Sequence, residues 1–442
     1  MAAGEVKLGV IGFGTVGMGV ARLLARNHGM IQQKLGRSLR IVRVASRSID
    51  TKPHPDIDLS CVRLSTDPWD VVHDPEVEVV IELIGGIEPA RALIFEAIAR
   101  GKDVVTANKA LLALHGAEIF AAAESRGVSI GFEASVAGGI PIIRTLREGL
   151  AADRNRALFG IVNGTCNYIL TTMSEEGQEF AAVLRRAQEQ GIAEADPRLD
   201  LDGVDAAHKL TLLAMLAFGV RVSFESVYVE GIQHISQTDI LFAREFGYTI
   251  KLLAIAKDED GAIDVRVHPT MIPRRSLLAD VGGMYNAIFV QGEALGSSLY
   301  FGRGAGSLPT ATAVLADVIE VARNRGLATL GLRVPPLGYP WHDLRNVPLR
   351  PIDDLVSEYY LRFMAIDRPG VLAKIAGVLG AHEISIASVI QRGRSEGDET
   401  VPLVMRTHLA RERNLKAALQ EVDQLPVVQG RAMSIRVEEN LG

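Results

Sequence analysis

The sequence predicts an α/β chain in three parts: an N-terminal Rossmann-type domain with a doubly wound parallel sheet, an α+β middle, and a C-terminal ferredoxin-like unit. Three observations carry this. Residues 1 to about 130 alternate strand-like apolar runs with helical periodicity, opening on Val6–Ile11 and then Gly12-Phe-Gly-Thr-Val-Gly17. From residue 141 onward helices and strands mix without that alternation. Residues 357–442 read strand, helix, strand, strand, helix, strand.

The first strand is followed by Gly-x-Gly-x-x-Gly and a helical pattern through Val20, Leu23 and Leu24. That order is the dinucleotide fingerprint: Gly12 makes the tight turn, Gly14 lets the backbone approach a pyrophosphate, and Gly17 allows close helix packing. Phe13, Thr15 and Val16 complete the loop, whose helix-start N–H groups suit phosphates. A glycine-rich turn without a ligand is the plainer alternative. The second strand, Leu39–Ala45, ends in Ser46-Arg47-Ser48. An acidic residue here would favour a free ribose hydroxyl, and Arg47 tilts the expectation toward the 2′-phosphate of NADP.

Further on, Val77–Gly86 reads as a buried parallel strand ending in a glycine pair, and Glu88–Arg100 as a helix. The strand Asp103–Thr106 delivers Ala107-Asn108-Lys109 at its carboxyl end, the edge where open α/β sheets bind ligands. On sequence alone Lys109 is more commonly a solvated lysine opening a helix Ala110–Ala123. Val128–Phe132 closes the sheet, and Glu133–Ile140 is a small-residue loop. In the middle part, helices Ile142–Glu148, Phe180–Gln190 and Gly203–Gly219 mix with strand-like Leu158–Val162, Ser226–Val229, Ile250–Lys257 and Ile288–Gly292. Asn163–Leu170 is a turn into a helix, able to touch a substrate or simply to cap. Phe301–Thr310 is a second glycine-rich loop, containing Gly306, before a helix Ala311–Arg325; it is a phosphate or nicotinamide contact, a hinge, or both.

The densest chemistry lies in Gly191–Lys209, which holds the carboxylates Glu194, Asp196, Asp200, Asp202 and Asp205 in a loop running into a helix. Asp202 is read as the N-cap, with Asp205 in the first turn at the positive end of the dipole. Asp205 and Lys209 are four apart and share a face. Such pairs are usually surface salt bridges. Here the helix beyond Lys209 is almost wholly apolar, and a buried lysine is costly unless paired or used. This makes Lys209 a candidate acid/base group in a carboxylate-rich cleft.

Residues 326–356 are proline-rich and read as a linker. Beyond it come the strand Ser357–Ala365, the turn Asp367-Arg-Pro-Gly-Val-Leu372 into a helix, strands Ile384–Gln391 and Thr400–Thr407, helix Arg411–Gln424 and strand Met433–Val437.

Composition narrows the functional classes. At 442 residues, with 48% hydrophobic but only 5% aromatic residues and a net charge of −6, the chain suits a multidomain enzyme and gives no electrostatic reason to expect nucleic acid. No apolar run has the length of a membrane span, and the N-terminus enters the first strand without a signal peptide. Cys61 and Cys166 lie far apart, without metal-ligand spacing, and are expected as reduced thiols in a cytoplasmic protein.

Taken in order, Gly12–Gly17, Ala107-Asn-Lys-Ala110, Asn163–Leu170, the Glu194…Lys209 array, Gly302-Arg-Gly-Ala-Gly306 and Asp367–Leu372 carry a resemblance over nearly the whole chain. The sequence resembles bacterial homoserine dehydrogenases with a C-terminal ACT domain. The resemblance implies an NAD- or NADP-dependent enzyme (EC 1.1.1.3) interconverting L-homoserine and L-aspartate 4-semialdehyde in threonine, methionine and isoleucine biosynthesis. It implies Lys209 as general acid/base with Lys109 assisting, and Glu194, Asp200 and Asp205 as substrate ligands. Gly12–Gly17, Arg47, Lys109, Gly191, Glu194 and Gly306 are implied at the cofactor. A monovalent cation, Na+ or K+, is implied at Glu133, Val136, Gly138 and Ile140, largely through main-chain oxygens. The division implied is 1–140 for nucleotide, 141–308 for substrate, catalysis and dimerisation, 326–356 as linker and 357–442 as ACT domain, with helix 309–325 packing back on the first. An L-threonine effector and a homodimer or homotetramer are also implied, with no nucleic-acid or membrane partner.

The residues fit that chemistry. Reducing an aldehyde needs a hydride and a proton for the developing alkoxide, and a lysine ammonium supplies charge and proton together. Two lysines near one oxygen would lower each other's pKa and ease the reverse reaction. Two other readings stay open: a dehydrogenase of the same scaffold acting on a different amino-acid-derived aldehyde, and an amino-acid sensor with an inert nucleotide fold. The joint presence of Lys109, Lys209 and the carboxylates argues against the sensor.

Overall fold

The computed structural model describes residues 4–49, 56–259, 261–325, 334–391 and 400–441. The chain divides into two compact units: residues 1–158, 205–227 and 286–347 form the first, and 159–204, 228–285 and 348–442 the second. Among the described residues no helix is long and apolar enough to cross a membrane.

In the first unit, six parallel strands (Glu5–Ile11, Ser38–Ala45, Arg63–Ser65, Val79–Glu82, Asp103–Thr106 and Ile130–Gly131) lie in the order 3-2-1-4-5-6. The order reverses between the first and fourth strands, which opens a crevice at their carboxyl ends. Strand residues such as Leu8, Val10, Val79 and Ile81 are fully buried because helices cover both faces of such a sheet. The helix Ser307–Arg325 packs on the first helix, Thr15–Leu35, and Val314 and Val318 share a core with Val20 and Leu24. A Cβ on Gly19 would sit 2.7 Å from the Ser307 carbonyl oxygen, so that close approach needs glycine.

The second unit is built on a long hairpin, Tyr248–Glu259 against Ala262–Pro273. The latter strand also pairs in parallel with Val428–Val437, through Thr270–Arg436 and Met271–Val437. Val428–Val437 belongs to a βαββαβ arrangement with strand order 4-1-3-2, formed by Val356–Ile366, Ile386–Gln391 and Thr400–Thr407. Helices Val371–Ala381 and Glu412–Val422 bury Ile375, Leu379, Leu415 and Ala418 against Leu361, Phe363 and Met405. This is the ferredoxin-like unit that the pattern of the last residues predicts.

Several local expectations are corrected. Asp202 is the C-cap of a short helix, Arg198–Leu201, not the N-cap of the next. Its carboxylate accepts from the Gln233 amide, and Gly203, at φ +84, makes the turn into Val204–Phe218 instead. Lys109 is the first residue inside its helix, Lys109–Arg126, because Asn108 caps it by accepting from the Leu111 N–H at 3.2 Å. The helix expected over Ile142–Glu148 is α-helical only over Ile142–Arg144 and continues as a π turn, Thr145–Gly149. Ser226 ends a 3-10 turn, leaving only Tyr228–Val229 as strand. The glycine-rich loop at Phe301 is shorter than expected, since a strand runs over Gly296–Arg303 and the next helix opens at Ser307, with Pro309 tolerated in its first turn. The segments 326–333 and 392–399 lie outside the described residues.

Candidate functional site

The nucleotide loop has the stereochemistry its glycines foretell. Gly12 adopts φ +98, and a Cβ there would meet the Leu83 backbone at 2.8 Å. A Cβ on Gly17 would lie 2.2 Å from the Gly12 carbonyl oxygen. Gly14, which starts the helix, faces open space, and a Cβ there would find no heavy atom within 4 Å. The first helical turn holds no acidic side chain, so its positive end is free for an anion. Phe13 is buried below the loop, while Thr15 is exposed. Ser307 Oγ donates to the Thr15 carbonyl at 2.7 Å, which sets the second glycine-rich loop, with Gly306 at φ +129, beside the first. Sequence treats these two loops as separate signals, and packing of the two long helices joins them.

The neighbouring strand ends are fastened by buried polar bonds. Glu82 accepts from the Ile84 and Gly85 N–H groups and from the Thr106 hydroxyl at 2.6 Å. Asn108 donates from its amide to the Gly86 carbonyl at 2.7 Å. Arg47 is exposed in the turn after the second strand.

Lys109 and Lys209 meet at one carboxylate. Lys109 Nζ lies 3.0 Å from Asp205 Oδ1 and Lys209 Nζ lies 2.7 Å from Asp205 Oδ2. Asp205 and Lys209 share a helical face, one turn apart, as their spacing requires. The side chains of Asp205 and Lys209 are 9% and 11% exposed, whereas Lys109 is 39% exposed. The surface salt-bridge reading therefore fails for Lys209. The helix carrying them is locked into the unit: Leu210, Leu212 and Leu213 are fully buried, and each such side chain contributes about 1.5–3 kcal/mol. At its far end Arg345 donates to the Phe218 carbonyl at 2.9 Å and Asn155 to that of Ala217 at 3.1 Å. These bonds satisfy orphan carbonyls where the dipole is negative.

His208, to which the sequence alone assigns no role, packs on Phe224 with ring centroids 4.6 Å apart. Burial pushes its pKa down, opposed by Asp205 and reinforced by Lys109 and Lys209. Burial thus favours the uncharged imidazole at this position. Its only signal in the sequence was its place three residues after Asp205.

In the second unit, Asn163 does two things at once. Its Oδ1 accepts from the Cys166 N–H at 2.8 Å, capping the helix Gly164–Glu176, and its amide donates to Asp200 Oδ1 at 2.7 Å. Cys166 Sγ donates to the Asp200 carbonyl at 3.1 Å. Asp200 is thus pinned both by side chain and by backbone. The capping reading of this turn holds, and the same side chain also reaches Asp200. Glu194 is exposed on the loop before Asp200, and Gly191, at φ +69, ends the preceding helical segment.

Glu133 is buried, and its carboxylate accepts the Ile143 and Arg144 N–H groups at 2.8 and 2.9 Å. Its own N–H donates to Asp317 at 2.8 Å. Burial raises the pKa of Glu133 and pushes that of Asp317 well above the usual carboxylate range, with Glu133 adding to the latter. The Glu133 carboxylate thus caps the backbone at Ile143 and Arg144. Ala137 and Gly138 both have positive φ, 51 and 40, which bends the backbone of this loop sharply. At the other end of the chain a cavity of about 340 Å3 is lined by Asp367, Arg368, Pro369, Gly370 and Gln391.

Comparison with known proteins places the fold and its domains in a family. A family model described as homoserine dehydrogenase matches residues 141–319, its NAD binding domain matches 12–133, and an ACT domain matches 359–427. Homoserine dehydrogenase of Pseudomonas aeruginosa is 45% identical over 434 residues, covering 98% of this chain and 99% of the relative. That of Neisseria gonorrhoeae is 43% identical over 433 residues, covering 98% of each. The crystal structure of a homoserine dehydrogenase from Thiobacillus denitrificans superposes with a TM-score of 0.93 at 46% identity over 100% of both chains. A hyperthermophilic archaeal homoserine dehydrogenase mutant in complex with NADPH covers 74% of this chain and 99% of its own, with a TM-score of 0.62 and 26% identity.

Proposed function

Because the chain belongs to the homoserine dehydrogenase family, we propose that it interconverts L-homoserine and L-aspartate 4-semialdehyde with Lys209 as proton donor and acceptor. The observation that carries this reading is the single Asp205 carboxylate holding two lysines, one per oxygen. The bound nicotinamide supplies the hydride in one direction and accepts it in the other. As the aldehyde carbon is reduced, charge develops on its oxygen. The Lys209 ammonium stabilises that charge and then donates its proton, leaving a neutral amine and the alcohol. In oxidation the neutral amine takes the hydroxyl proton. Asp205 fixes the Lys209 rotamer so that the ammonium need not be ordered at the moment of reaction. Lys109, held by the same carboxylate, adds positive charge on the cofactor edge of the first sheet.

Glu194, Asp200 and Asp205 are assigned to the substrate ammonium. Both Asp205 oxygens already accept from lysines, yet each has a lone pair left. Arg47 supports NADP over NAD, since a guanidinium fits a 2′-phosphate in the bidentate manner a free hydroxyl does not need. A Na+ or K+ ion would be held by the main-chain oxygens of Glu133, Val136, Gly138 and Ile140, an all-oxygen set suited to a hard cation. The Ile140 carbonyl accepts from Ile142 at 2.7 Å and that of Glu133 from Val136 at 3.4 Å, so each keeps a second lone pair. Such an ion would stiffen the turn.

The cavity at Asp367–Gly370 supports an amino-acid effector, L-threonine, acting as feedback inhibitor of threonine, methionine and isoleucine biosynthesis. Ile386–Gln391 ends the strand order of this sheet and exposes Val389, which suits pairing with a second copy in a homodimer or homotetramer. Exposed, unpaired Cys61 fits a reducing cytoplasm. The deciding experiment is oxidation of L-homoserine with NAD+ and NADP+, with and without L-threonine, on wild type and Lys209→Ala. An alanine variant as active as wild type would overturn the assignment of Lys209.

A further inference from the structure

Within the second unit, lined by none of the residues assigned above to substrate, cofactor or cation, lies a polar cavity of about 470 Å3. It is bounded by the end of the helix Gly164–Glu176, the helix Gln237–Glu245 and the first residues of the strand Tyr248–Glu259. Its volume is in the range of small-molecule sites. Five charged side chains line it: Lys251, Arg244 and Arg274 against Glu175 and Asp280.

Lys251 is only 3% exposed, and its Nζ donates to the Val281 carbonyl at 2.6 Å and to Asn167 Oδ1 at 3.1 Å. An ammonium carries three donors, so one remains after these two bonds. Burial lowers its pKa to about 8, while Glu175 and Asp280 pull the other way. Among the described residues, Glu175, Arg244, Arg274 and Asp280 form no ion pair with one another or with any other side chain. The buried Thr171 hydroxyl in the same wall has no hydrogen-bond partner. Opposite charges gathered round one cavity without an ion pair across it leave charged groups that a ligand can bridge. An orphaned buried hydroxyl in such a wall needs the same explanation.

We propose that this cavity is a second small-molecule site, for an acidic α-amino acid carrying two carboxylates and one ammonium. The charge inventory selects that class: three cations against two carboxylates leave one positive charge, which a ligand of net charge −1 neutralises. Its carboxylates take Lys251 and the arginines, and its ammonium takes Glu175 and Asp280, in charge-assisted bonds. Occupancy bears on the Asp200 turn through Asn167. That side chain, held by Lys251, donates to the carbonyls of Val281, Gly283 and Tyr285, and the Met284 backbone in the same loop packs against Gly164. Gly164 follows Asn163, which holds Asp200.

The test is isothermal titration calorimetry of the full chain with L-aspartate, in the absence of substrate and cofactor. Saturable binding is expected. Succinate, which lacks the ammonium, and L-alanine, which lacks the second carboxylate, are each expected to bind at least about 10-fold more weakly, the usual loss for a charge-assisted bond. Glu175→Gln and Arg274→Gln, both exposed on the rim, should each weaken L-aspartate by a similar factor. Asp205→Asn should leave it unchanged, which separates this site from the substrate site. No binding at about 10 mM L-aspartate, or binding lost in Asp205→Asn but kept in both rim variants, would overturn the proposal.

Discussion

Lys209 Nζ lies 2.7 Å from Asp205 Oδ2, one helical turn away, while Lys109 Nζ lies 3.0 Å from the other oxygen of the same carboxylate. The two lysines reach it from different directions of the chain, one from a helix interior and one from a strand-to-helix turn. A single side chain therefore sets the positions of both. Replacing Lys209 with alanine removes the proposed acid/base group and leaves the nucleotide loop untouched. Turnover is expected to fall more than about 100-fold, with dissociation of the reduced cofactor unchanged in a fluorescence titration.

The shared carboxylate makes the lysines interdependent. Asp205→Asn keeps the shape and removes the charge that orders them, so kcat should fall and KM for L-homoserine should rise. A double-mutant cycle between Asp205→Asn and Lys109→Ala should show a coupling of about 0.5–3 kcal/mol in kcat/KM. Simple additivity would mean that Asp205 does not act on Lys109 during turnover.

The nucleotide loop separates binding from folding at two glycines. Gly17→Ala drives a methyl group to 2.2 Å from the Gly12 carbonyl oxygen and should destabilise by about 1–3 kcal/mol, seen as a lowered Tm. Gly14→Ala meets no heavy atom within 4 Å, so its Tm should stay near wild type. It should nonetheless weaken the cofactor by about 10-fold, because the methyl occupies the approach to the pyrophosphate. Equal cofactor affinity in wild type and Gly14→Ala would remove the loop from the binding site.

Lys251 gives the stability a pH dependence of known sign. Its folded pKa is lowered to about 8 by burial, against 10.5 for an unfolded lysine. Between those values the unfolded chain binds the extra proton, so the contribution is complete above the upper value and is lost as pH falls through the lower one. Urea unfolding of wild type should therefore gain stability relative to Lys251→Met as pH rises from about 8 to about 9.5. A difference independent of pH across that window would contradict the depressed pKa.

Much of the site was legible because it rests on local rules. The i, i+4 spacing of Asp205 and Lys209 and the order strand, Gly-x-Gly-x-x-Gly, helix both follow from backbone geometry within a few residues. What failed was also local in appearance but tertiary in cause. Asp202 has the residue type of an N-cap, yet its carboxylate is taken by Gln233, some thirty residues on, and a left-handed Gly203 turns the chain. Asn163 caps its helix as the local pattern suggests, while its second bond, to Asp200, joins residues 37 positions apart that no local rule connects.

By itself the sequence determined the parallel nucleotide-binding sheet, the ferredoxin-like end and the residue types at the site, since hydrophobic period, turn glycines and charge spacing are short-range properties. The tertiary structure decided that Lys109 and Lys209 share one carboxylate, that Ser307 ties the second glycine-rich loop to Thr15, and that five charges line a cavity around Lys251. Apart from the i, i+4 contact of Lys209 with Asp205, these are pairings between residues tens to hundreds of positions apart. No periodicity in the chain encodes them, because they are fixed by how helices and strands pack, and packing is settled by the whole core at once.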